Sequence, residues 1–169
     1  MINFIRIFCA CLLCAATLAT HAQIIDSGNL GNGLTWVLTT DGTLTIAKTG
    51  EGNGEMPDYY SMSQQPWASN RDLLTTLVIG EGVTSIGHYA FRDCSGFKGS
   101  LTLPEGLTNI GQYAFSRCSG FTGSLTLPEG ITSIGSNAFY GCSGFTGSLT
   151  LPAGITSIES SISFLKYHI

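Results

Sequence analysis

The chain has 169 residues, 43% of them hydrophobic and 11% charged, with a formal net charge of −4, which suits one domain of ordinary size. Its seven Lys and Arg are scattered singly, so the basic stripe that a nucleic-acid interface requires is missing and that class of partner is excluded. Acidity this mild points to no particular ligand.

Residues 1–22 read as a secretory signal peptide. Arg6 lies in a short n-region, Ile7 to Leu18 is mostly apolar, and small residues precede Ala22. The apolar run is too short for a membrane span. Neither Cys11 nor Cys14 has the setting of a lipidated cysteine. The expected mature chain therefore has no membrane span, a net charge of −5, and three of the six cysteines: Cys94, Cys118 and Cys142.

Residues 23–73 form the next expected unit. LTWVLTTDGTLTIAKTG is a β-hairpin signal. A three-residue loop, Thr40 to Gly42, pairs Leu38 with Leu44 and Trp36 with Ile46, and places Gly42 where a left-handed conformation is wanted. GNLGNG, at Gly28 to Gly33, is no phosphate loop, because no helix with Lys-Ser/Thr follows it. The loop-like stretch after the hairpin supplies Tyr59, Tyr60 and Trp67 to cover the open end of whatever comes next.

What comes next is repeated. GFKGSLTLPEGLTNIGQYAF and GFTGSLTLPEGITSIGSNAF start 24 residues apart, and units beginning at Leu77, Leu101, Leu125 and Leu149 fill residues 74–158. A period in the twenties marks a solenoid, in particular a leucine-rich repeat. In each LTL, two leucines point inward and the threonine outward from a short strand. Pro128, Glu129 and Gly130 make a turn. Ile134, Ala138, Phe139 and Cys142 then fall on one face of a short helical turn, which Gly144 ends. The expected core is Leu101, Leu103, Ile110, Phe115 and Cys118 in one unit, and Leu125, Leu127, Ile134, Phe139 and Cys142 in the next. One such coil cannot bury enough surface alone, so stacking must complete it. The cysteines should form a dry column of free thiols.

The predicted fold class is thus an α/β repeat solenoid: a short leucine-rich-repeat stack with parallel strands and short helical turns, preceded by an N-terminal β-hairpin cap. Past Ile158 the pattern breaks, and the tail 159–169 is irregular or truncated. Its apolar Phe164 and Leu165 make self-association through the C-terminal end the alternative to binding a foreign partner.

LPEGITSIGSNAFYGCSGFTGS resembles the BspA-like, or Treponema pallidum-type, leucine-rich repeats of bacterial surface proteins. The run from Leu34 to Tyr60, then PW and VIGEGVTSIGHYAF, resembles the module that often precedes them. The resemblance spans about residues 28 to 158. It implies a curved right-handed solenoid, export to the periplasm or cell surface of a bacterium, and an adhesive or protein-binding role, with no catalytic residues to carry over.

Two faces could bind an extracellular protein or glycan. The strand face offers Ser100, Thr102, Ser124, Thr126, Ser148 and Thr150, hydroxyls suited to many weak hydrogen bonds. The alternative outer face offers the variable columns that hold His88, Tyr89, Gln112, Tyr113 and Tyr140. Glu81, Glu105 and Glu129 line up as calcium ligands would, but the column breaks at Ala153, so solvated turn glutamates are expected. His88 and His168 sit in no acid–base constellation, and no nucleophile elbow, P-loop or zinc motif is present. Neither catalysis nor a cofactor or metal is expected.

Overall fold

The computed structural model describes residues 22–158. The expected signal peptide, apart from its last residue, and the tail 159–169 lie outside the described residues.

The described residues open with a strand that sequence patterning did not reveal. β1 (Ile24–Gly31) pairs antiparallel with β2 (Leu34–Thr39). The GNLGNG stretch closes this hairpin through Gly31, Asn32 and Gly33, at φ 82°, 53° and 79°. β2 then pairs antiparallel with β3 (Thr43–Lys48), setting Trp36 opposite Ile46 and Leu38 opposite Leu44. Gly42, at φ 80°, closes the loop, where Asp41 accepts the Thr39 hydroxyl at 2.7 Å and the Thr43 N–H at 3.1 Å.

β3 pairs in parallel with β4 (Thr76–Ile79), Leu44 beside Leu77 and Ile46 beside Ile79. Residues 23–73, the leader of the repeats, therefore share one sheet, in the order β1-β2-β3-β4, with the first repeat. A second, parallel sheet runs β10-β8-β6-β5 through two-residue strands: β5 (Ser85–Ile86), β6 (Asn109–Ile110), β8 (Ser133–Ile134) and β10 (Ser157–Ile158). β7 (Gly123–Thr126) pairs in parallel with β9 (Phe145–Thr150), Leu125 beside Leu149. Leu101 and Leu103 point inward without belonging to a strand.

The expected helical turns are corrected. Ile134 belongs to β8, and the stretch from Gly135 to Cys142 is a run of tight turns. In the second coil Ala114 N–H donates to Gly111 O at 3.2 Å and Cys118 N–H to Phe115 O at 3.1 Å. Tyr113 and Arg117, inside those two turns, stand at φ 54° and 61°. Each is the third residue of its turn, where a type II bend needs a positive φ. A helix would bond its N–H groups within itself; here Tyr113, Phe115 and Arg117 donate to Ser136 O, Ala138 O and Tyr140 O of the next coil. Stacking consumes the donors that a helix would have kept. Gly144 is not a left-handed stop either; a Cβ there would strike Phe121 O, so glycine lets consecutive coils approach.

The interior is one continuous cluster, and all ten expected core residues named above are buried. Its spine is aromatic: Trp67 stacks on Phe91 at 5.3 Å, Phe91 on Phe115 at 5.2 Å, and Phe115 on Phe139 at 5.4 Å. A parallel row, Phe97, Phe121 and Phe145, stacks at 5.5 and 5.9 Å. Trp67 thus occupies the place of a repeat phenylalanine, and Tyr59 is buried beside it at 6.3 Å. Tyr60 does not join them: it is 78% exposed.

Candidate functional site

Cys94, Cys118 and Cys142 are free and buried. Each of the last two reaches back one coil: the Cys118 thiol donates to Phe91 O and the Cys142 thiol to Phe115 O, both at 3.0 Å. Burial pushes Cys94 and Cys142 up to about 12, and burial, with the neighbouring cysteines, raises Cys118 as well. Neutral, enclosed thiols are poor nucleophiles. This column is structural.

Hydroxyl columns on the surface divide into two kinds. Thr84, Thr108, Thr132 and Thr156 were not singled out from sequence, and they form a ladder. The Thr108 N–H and hydroxyl both donate to Thr84 O, at 2.9 and 3.0 Å. Thr132 repeats this on Thr108 O at 2.9 and 3.1 Å, and Thr156 on Thr132 O at 3.1 and 3.1 Å. The ladder begins in the leader, where the Thr84 hydroxyl donates to Asn53 O at 2.8 Å. One threonine per coil at a constant spacing was the available signal.

The strand-face hydroxyls behave differently. Ser100, Thr102, Ser124, Thr126, Ser148 and Thr150 are all exposed, and among the described residues none of their hydroxyls is held by another protein group. Thr126 lies beside Thr150 in the β7–β9 ladder. Through β3 and β4 the same row continues toward the leader as Val78 beside Thr45. The result is a row of small uncharged side chains exposed to solvent, with the exposed Lys98 two residues before Ser100.

The outer face is largely occupied with itself. Tyr89 stacks on Tyr113 at 5.1 Å, and the Arg92 guanidinium lies 5.2 Å from each ring. Arg92 Nε contacts Asp93 Oδ2 at 3.3 Å, an ion pair without hydrogen-bond alignment, and Arg117 reaches Asp93 Oδ1 at 3.5 Å. His88 and Gln112 are joined at 2.7 Å through the Gln112 backbone N–H. Tyr140 stands apart from this cluster, 44% exposed. Tyr89, at φ 57°, is held in a left-handed turn, so the cluster also secures a strained backbone.

Glu81, Glu105 and Glu129 are exposed, and among the described residues no group of three or more His, Cys, Asp and Glu is placed to hold a metal. No helix among them is long and apolar enough to cross a membrane.

Against known families, residues 68–167 match the BspA type Leucine rich repeat region (6 copies). Among solved structures, a leucine-rich repeat protein from Eubacterium ventriosum is similar at 27% identity and a TM-score of 0.60, over 81% of this chain and 40% of that one. A leucine rich cell surface protein from Faecalibacterium prausnitzii is 23% identical over 78% of this chain and 44% of its own, with a TM-score of 0.46. A T. pallidum leucine rich repeat protein is 22% identical over 73% and 71%, with a TM-score of 0.44. This chain spans about 40% of the Eubacterium protein's length. No curated protein matches.

Proposed function

We infer that this chain, which belongs to the BspA-type leucine-rich repeat family, is a non-catalytic recognition module, exported to the periplasm or surface of a bacterium, that binds an extracellular protein or glycan. The observation that carries the reading is the open row of Ser100, Thr102, Ser124, Thr126, Ser148 and Thr150. The other threonine column is committed to holding coils together, whereas these hydroxyls have no partner within the described protein. Small uncharged side chains on adjacent coils suit a neutral, extended ligand met by many weak hydrogen bonds, each contributing about 0.5–1.5 kcal/mol. The leader, sharing a sheet and an aromatic stack with the first repeat, serves in this reading as the N-terminal cap that a solenoid requires.

The test is a panel of matrix proteins and glycans probed with the chain and with a Thr102→Val, Thr126→Val, Thr150→Val variant. Valine keeps the shape and strand preference and removes the hydroxyl. Binding by the parent and loss in a folded variant supports the row; equal binding by both refutes it. Cell fractionation and surface protease accessibility test the export half of the reading.

A second reading rests on the last coil. Leu151 is 44% exposed, although the corresponding Leu103 and Leu127 are 7% and 5% exposed. An exposed leucine of this kind can dock onto a second copy. Light scattering after size exclusion checks it: a dimer abolished by Leu151→Asp supports docking, and a monomer at all concentrations rules it out.

A further inference from the structure

His88 belongs to the first repeat, yet its contacts lie on both sides of it. Its ring Nδ1 accepts the backbone N–H of Gln112, in the second coil, at 2.7 Å. On the leader side, Asp58 Oδ1 accepts the His88 backbone N–H at 2.7 Å, and Asp58 Oδ2 lies 3.7 Å from His88 Nε2. The two coils approach closely here: at Gly111 a Cβ would stand 2.7 Å from the His88 backbone N and 2.9 Å from its Nδ1. One residue therefore joins three units, its backbone N–H bonded to the leader and its ring to the second coil.

The direction of these bonds specifies the protonation state. A nitrogen that accepts from an amide carries no proton, so the neutral ring holds its hydrogen on Nε2, toward Asp58. A second proton can enter only at Nδ1, where it would confront the Gln112 N–H. The two sides of the ring thus respond to acid in opposite ways. The Asp58 contact gains a full charge, and the Gln112 bond must break. Asp58 is the charged group that faces the ring from the leader, while the second coil presents the uncharged Gln112 amide and Gly111. On the coil of His88 itself, Arg92 and Asp93 are engaged with the tyrosine pair and with Arg117.

We propose that His88 is an acid-released staple between the first and second coils: the neutral ring accepts the Gln112 N–H, and the charged ring gives up that bond and keeps only its Asp58 side. Release leaves this edge to the Tyr89 N–H on Gln112 O, at 2.9 Å, so acidification loosens the outer face beside the stacked Tyr89 and Tyr113 and leaves the hydroxyl row of the strand face in place. This device is independent of what that row binds.

The test is nuclear magnetic resonance on the 15N-labelled protein, following the His88 ring nitrogens and the Gln112 amide from about pH 7.5 to about pH 5, the range in which histidine serves as a switch. The expected result is an Nε2–H tautomer at the upper end. Protection of the Gln112 amide from exchange, corrected for intrinsic rate, then falls roughly two- to tenfold as the ring takes up its proton, the worth of one hydrogen bond. In His88→Asn the side-chain oxygen can stand where Nδ1 stood, and Gln112 protection no longer depends on pH. An Nδ1–H tautomer at the upper end, unchanged Gln112 protection while His88 titrates, or a ring that stays neutral throughout would each overturn the staple.

Discussion

Two threonine columns share the same 24-residue spacing, one from Thr84 to Thr156 and the other from Thr102 to Thr150, and they have opposite fates. Thr108 and Thr132 each send both an N–H and a hydroxyl back to one carbonyl of the preceding coil. Thr102 and Thr126, six residues before them, point their hydroxyls into solvent. The buried cysteines repeat the first arrangement in the interior, where the Cys118 thiol bonds Phe91 O at 3.0 Å. The lesson is that a hydroxyl's role here depends on whether the neighbouring coil presents a carbonyl to it. Identical residues become mortar on one edge and open surface on another.

The comparison would break most severely at the platform that aligns both columns. Phe115→Ala, in the middle of the aromatic spine, is expected to cost about 3–5 kcal/mol, read by urea denaturation; a loss under about 1 kcal/mol would mean that the edges, and not the core, hold the coils in register. Base should act next, through the thiol column. Cys94 and Cys142 rise from an ordinary 9.0 to about 12 in the fold, and Tyr59 rises from 10.0 to about 12, also through burial. Their contribution is complete below the unfolded values and is lost as pH climbs toward the folded ones, because the unfolded chain ionises first. Melting temperature should therefore fall above about pH 9, and replacing the three cysteines with alanine should flatten that slope.

Smaller effects separate the two columns themselves. Thr108→Val removes one inter-coil hydroxyl bond and should cost about 0.5–1.5 kcal/mol, with the N–H to Thr84 O retained. Thr126→Val, made on the open row, should stay within about 0.5 kcal/mol of the parent. Equal losses from the two substitutions would erase the distinction, and a ligand-binding defect confined to Thr126→Val would sharpen it.

Much of this molecule was legible in its sequence because a repeat states its own alignment. Leu125, Leu127, Phe139 and Cys142 read as core once the earlier copies stood beside them, and the hairpin register followed from the alternation around Asp41-Gly42. β1 was missed because IIDSGNLG lacks strict alternation and ends in turn residues; its partner β2 makes it a strand. The spacing of Ile134, Ala138, Phe139 and Cys142 suits one face of a helical turn, and a chain of tight turns satisfies it equally well. Left-handed Tyr113 and Arg117 carry side chains that disfavour that conformation, so no local preference announced them. For the candidate site, the strand-face hydroxyls could be named in advance, whereas the closure of the outer face around Arg92 could not.

The sequence by itself determined the period, the inward letters and hence the stacked architecture, since apolar side chains that recur every 24 residues can be buried only by neighbours of the same shape. Tertiary structure alone decided which hydroxyls, amides and ring nitrogens are spent between coils and which remain open. Those pairings join residues 23, 24 or 27 positions apart, and hydrogen bonds a few ångströms long exist only after the coils have stacked.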